Sequence, residues 1–138
     1  MKIHTTNYEN TFIEVAEDSP GDIAEVPTPR NGKETAASLQ YQLIRDNPYK
    51  YNSDEVLFRV FAQRKDLTEE ELEDERKQFF SKGQACMRAS PLTKRYGWGI
   101  HNDHEGKIAL VARESEDYRR LVQDEAIPKV KAMRSSRK

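Results

Sequence analysis

Cys86 lies among lysines and arginines, a setting that favours the thiolate, and a thiolate beside an imidazole is a nucleophile. His101 and His104 are the imidazoles available to it as a base. Cys86 is therefore the candidate reactive thiol, although a lone cysteine between Ala85 and Met87 is also the pattern of a small buried hydrophobe. The same stretch carries a second chemistry. Between Glu75 and Asp103 there are six cations (Arg76, Lys77, Lys82, Arg88, Lys94, Arg95) and no carboxylate. Arg88, Lys94 and Arg95 supply charge, and Tyr96 and Trp98 supply flat rings for stacking. Ser90-Pro91 opens a helix whose first N–H groups are free. Together with His101 these residues define a basic, aromatic groove at 86–101 that can accept a phosphate or carboxylate.

Other chemistries have less behind them. His101, Asp103 and His104 form H-x-x-H around a carboxylate, but in a tight turn, which does not aim the two rings at one ion as a helix does. No CxxC, HExxH, phosphate-binding loop or dinucleotide fingerprint is present, so no metal or cofactor is expected. The strand Tyr96–His101 sets Tyr96, Trp98 and Ile100 on one face and Gly97, Gly99 and His101 on the other. Two glycines make a bare strip that a covering helix, an aromatic such as Phe79, or a ligand can occupy.

The elements that must position these residues follow from local pattern. NTFIEVAE at 10–17 alternates as a strand. Prolines and glycines from Ser19 to Gly32 mark a loop, and a helix follows at about Lys33 to Asp46 on the stripe Ala36, Leu39, Leu43 and Ile44. Ser53-Asp54-Glu55 starts a second helix through VLFRVFA, a stretch whose β-branched and aromatic content also suits a strand. Thr68-Glu69-Glu70-Glu71 is a capping box for a third, running to Phe80 with Leu72 and Phe79 inward and stopped by Gly83. A short helix spans Pro91–Arg95. Tyr96–His101 and Lys107–Ala112 form a hairpin at about 96–112 across the loop NDHEG. Ser115 opens a last helix with Tyr118, Leu121 and Val122 inward, ended by Pro128. The expected fold is α+β, a small antiparallel sheet covered by three to four helices.

At 138 residues the chain is one domain by length, 1–138, ending in a basic tail at 126–138 that frays unless something binds it. Charged residues make up 34% and hydrophobic ones 36%, so the core is small and the helices two-faced. No apolar run suits a membrane span or a signal peptide. One cysteine fits a reducing compartment, so the expected location is the cytoplasm. The net charge of -1 is unevenly spread. Residues 1–29 hold Glu9, Glu14, Glu17, Asp18, Asp22 and Glu25 against Lys2, whereas only bases follow Glu125 (Lys129, Lys131, Arg134, Arg137, Lys138).

NTFIEVAED, NPYKYNSDEVLF, KGQACMRASPLTKRYGWGIH and the closing KAMRSSRK together resemble an uncharacterised family of small, single-domain bacterial proteins of unknown function. The resemblance covers essentially the whole chain. It implies no established activity, cofactor or catalytic residue, and so transfers no site.

The leading expectation is a cytoplasmic protein that binds an anionic small molecule or a partner through Arg88, Ser90, Lys94, Arg95, Tyr96, Trp98 and His101. The alternative is a small enzyme using Cys86 or His101. A nucleic-acid-associated role is weaker, because the first third is acidic and no binding motif is present. A homo-oligomer is left open.

Overall fold

The computed structural model describes residues 4–135, so Lys2, Arg137 and Lys138 lie outside the described residues. The strands are β1 (Thr11–Glu14), β2 (Trp98–Asn102), β3 (Ile108–Ala112) and β4 (Lys129–Lys131). The helices are α1 (Ala36–Asp46), α2 (Ser53–Lys65), α3 (Glu69–Phe80), α4 (Pro91–Lys94) and α5 (Glu116–Gln123), with a 3-10 turn at Met87–Ala89. The fold is α+β with a small four-stranded sheet ordered β3-β2-β1-β4.

β1 and β2 pair antiparallel, as do β2 and β3 across the expected hairpin. β4 pairs with β1 in parallel, so the sheet is mixed. That strand comes from the basic tail, which is not frayed over its first part. Lys129, Val130 and Lys131 alternate, Val130 packs against the core, and Ala132 behind it is buried. The cations at the two ends keep this short edge soluble.

Helix starts follow side-chain chemistry. α1 begins at Ala36, three residues after the expected Lys33, because Thr35 caps it and exchanges bonds with Ser38. α2 begins one residue earlier than expected, because Asn52 rather than Ser53 is its cap; the Ser53 hydroxyl is buried against that of Thr6, 2.9 Å away. VLFRVFA is helical. α3 has the Thr68–Glu71 box, and of its residues only Phe80 is buried.

The sheet is covered on both sides. Ile13 and Ile100 meet Tyr41 and Ile44 of α1, Val56 of α2, Met87, and Leu92 of α4. On the opposite face aromatic rings, and not Phe79, cover Gly99, whereas Gly97 (φ 79°) precedes the strand and lies against Arg113 and the backbone of Ile23 and Ala24. Phe12 and Tyr118 of α5 pack edge to face with centroids 5.0 Å apart, directly over Gly99. The Tyr118 hydroxyl also accepts the Val15 N–H at 2.9 Å.

A Cβ on Gly99 would lie 2.7 Å from Phe12 Cζ and 2.9 Å from Tyr118 Cε2. Neither ring can retreat without opening the core. Gly99→Ala is therefore expected to destabilise the protein by about 1–3 kcal/mol, read as a lower urea midpoint at unchanged slope.

Candidate functional site

Lys94, Arg95 and Tyr96 line a cavity of about 330 Å³ at the N-terminus of α1. Arg30 and Arg64 complete its basic wall, with Thr35, Ala36, Ala37, Ala89 and Pro91 as the remaining lining. Each cation is delivered by a different device. Asn31 (φ 53°) and Gly32 (φ 76°) form a two-residue turn in which Arg30 and Lys33 bond each other's backbone at 2.8 and 3.0 Å. Asn-Gly suits that turn because both positions need positive φ. Arg64 projects from the last turn of α2. Lys94 ends α4, and Arg95 caps it with its N–H on Pro91 O.

Among the described residues no acid lines this cavity. Among the described residues none of the four cations has an ion pair or a side-chain hydrogen bond. Glu34, next to the cap, accepts the Ser38 hydroxyl (2.7 Å) and the Gln42 amide (2.8 Å). Its carboxylate therefore sits against the first turn of α1, which itself carries no acidic residue.

The other sequence candidates do not join this site. Ser90 is buried; its oxygen accepts the Leu92 N–H at 3.1 Å and its hydroxyl donates to Gln40 at 2.6 Å, so capping occupies it fully. Arg88 turns to the far side and donates from Nε to Lys131 O at 2.7 Å, tying the 3-10 turn to β4. Trp98 tilts against Tyr41 and donates from Nε1 to Glu25 O at 2.8 Å, pinning the proline-rich loop. The Cys86 sulfur lies 3.6 Å from the Tyr8 hydroxyl, and among the described residues no imidazole is bonded to it.

His101 sits on the opposite sheet face from Trp98, as alternation requires. Its Nδ1 lies 2.8 Å from the Tyr49 hydroxyl. Burial lowers the His101 pKa, against a smaller upward pull from the Asp103 charge. Burial, then Asp103, raises that of Tyr49. Asp103 itself shapes the hairpin loop by accepting the Glu105 and Lys107 N–H groups at 2.9 and 2.8 Å. Among the described residues no three metal-ligating side chains converge.

Two parts of the surface escaped the sequence reading. Arg30 and Arg64 reach the anion pocket from segments distant in the chain. The Asn31-Gly32 turn was visible, but nothing local marks Arg64. A groove of about 680 Å³ between α2 and α3 is floored by Phe58, Ala62 and Leu72, with Arg76 over the Phe58 and Phe80 rings.

Among known families, a Family of unknown function (DUF6157) matches residues 3–138. The chain belongs to this family. No curated protein and no solved structure matches it. Membership of DUF6157 assigns no activity, so the chemistry of the site rests on its geometry.

The His101 shift has a consequence for stability. The unfolded imidazole titrates near 6.5 and the folded one lower. In that window the unfolded chain holds more protons, so stability falls as pH drops below about 6.5. The groups around the ring are Tyr49, Asp103, Asp117, Arg120 and Asp124. His101→Gln keeps all of them, and keeps His4 and His104. Urea unfolding at pH 7.5 and 5.5 is expected to show a smaller loss on acidification in His101→Gln than in the parent protein.

Proposed function

We propose that the chain is a cytoplasmic bacterial protein that binds an anionic small molecule in the pocket of Arg30, Arg64, Lys94, Arg95 and Tyr96. The observation that carries this reading is the set of four cations around one cavity with no acid and no ion pair among the described residues. Like charges held together repel, and a bound anion relieves that repulsion. Three of the four are arginines, whose planar fork suits bidentate bonds to carboxylate or phosphate oxygens. Each such charge-assisted bond contributes about 1.5–3 kcal/mol. Tyr96 offers a flat wall for an organic body.

The free thiol supports the reducing compartment, and the family resemblance supports the bacterial source. No helix among the described residues is long and apolar enough to cross a membrane.

Thermal unfolding with orthophosphate, pyrophosphate, citrate and nucleotides tests the reading. At a hundredfold excess over Kd the bound anion is expected to stabilise the fold by about 2.7 kcal/mol. Arg95→Ala and Arg64→Ala should abolish the shift with little change in basal stability, since both side chains are exposed and unpaired. Ser90→Ala should lower basal stability by about 1–2 kcal/mol yet keep the shift. A shift that survives Arg95→Ala, or none across the panel, would overturn the proposal.

A further inference from the structure

A second cavity, of about 470 Å³, lies between the Pro48–Tyr49 turn, the outer edge of β3 and α5. The direction of every backbone group on β3 follows from its pairing. Asp103 N–H reaches Lys107 O and Arg113 N–H reaches Gly97 O, so odd-numbered residues bond toward β2. Ile108, Leu110 and Ala112 therefore point their N–H and C=O outward.

The chain covers this edge at both ends. Ile108 N–H bonds Tyr51 O and Ile108 O accepts the Tyr49 N–H, each at 2.9 Å. Ala112 O accepts the N–H and hydroxyl of Ser115 at 3.0 and 2.7 Å. Between them the N–H and C=O of Leu110, and the N–H of Ala112, have no protein partner among the described residues, and Leu110 lines the cavity.

The surroundings of this gap are built. Tyr49 has φ 58°, a conformation seldom taken by an aromatic residue, and it lets the ring wrap the sheet edge to reach His101. His101 Nδ1 is thereby engaged, while Nε2 has no protein partner among the described residues. α5 supplies the far wall through Asp117, Arg120, Leu121 and Asp124. Asp117 pairs with Arg120; the Asp124 carboxylate accepts the Ala126 N–H at 2.9 Å, has the Lys129 ammonium on its own carbonyl, and forms no ion pair among the described residues.

We propose that this cavity is a peptide-docking site, in which one residue of an extended segment bridges Leu110. A donor and acceptor one residue wide on a strand edge match the main chain of another strand. The bridging residue would place its side chain on the Leu110 side. Its two neighbours would lie over Ala109 and Val111, beside His101 and Asp124, where basic side chains are favoured.

The test is an amide-resolved NMR titration of the full chain with acetyl-Lys-Ala-Lys-amide. The Leu110 amide and the His101 ring are expected to shift, with acetyl-Glu-Ala-Glu-amide binding at least about threefold more weakly. N-methylation of the central alanine removes the donor to Leu110 O and should abolish binding; this control needs no protein variant. Asp124→Asn should erase the lysine preference while the Leu110 shift persists. No Leu110 shift at millimolar peptide, or an N-methylated probe that binds equally, would overturn the proposal. It would equally fail if the Leu110 amide shifted with protein concentration alone and sedimentation gave a dimer, because a second copy would then hold the edge. Arg95→Ala leaves this site intact, so the two sites succeed or fail separately.

Discussion

Alternation along β2 governs where the remaining side chains can act. The strand is paired on both edges and covered on both faces, so each of its residues is committed to one side. Trp98, Ile100 and Asn102 go toward α1 and α4, while Gly99 and His101 go toward α5. A one-residue slip would drive His101 into the core and expose Ile100. Gly99 makes such a slip costlier still, because only a residue without Cβ fits beneath Phe12 and Tyr118. Those two rings hold α5 on the sheet, and α5 in turn walls the cavity at Tyr49 and His101.

The cations between Glu75 and Asp103 share a stretch of sequence without sharing a surface. Arg76 stacks over Phe58 and Phe80, and Lys77 pairs with Glu73 along α3. Arg88 is tied to the carbonyl of Lys131. Lys94 and Arg95 alone enter the anion pocket, where Arg30 and Arg64 join them. What distinguishes the pocket is that four cations with no ion pair or side-chain hydrogen bond among the described residues line one cavity together. Exposed pairs such as Lys77–Glu73 contribute little to stability, so leaving four cations unpaired is a tolerable cost for a binding surface.

The α+β fold was legible wherever its cause is local. Thr68 and Ser115 cap helices through bonds to residues three positions away, and the β2–β3 hairpin closes over a short loop. The parallel pairing of β4 with β1 was not legible, because it joins the two ends of the chain and leaves only Lys-Val-Lys as a trace. The candidate site was half legible for the same reason. Lys94, Arg95 and Tyr96 are contiguous, but Arg30 and Arg64 are brought in by the loop and by α2 packing on α1. Trp98 and His101 misled in opposite directions, since alternation along one strand separates residues that sequence proximity groups together.

The two cavities differ in charge as well as place. One gathers cations on the side of α1 and α4; the other has an unpaired carboxylate on the side of α5. The sheet stands between them. Coupling between sites requires an element with two arrangements that both ligands bias. β2 is the shared element, and it has one register, fixed by pairs on both edges and by the rings over Gly99. With that register fixed, the two proposed sites are expected to bind independently. Two ligands of opposite charge would then be held on opposite sides of one small domain, each answering to its own concentration.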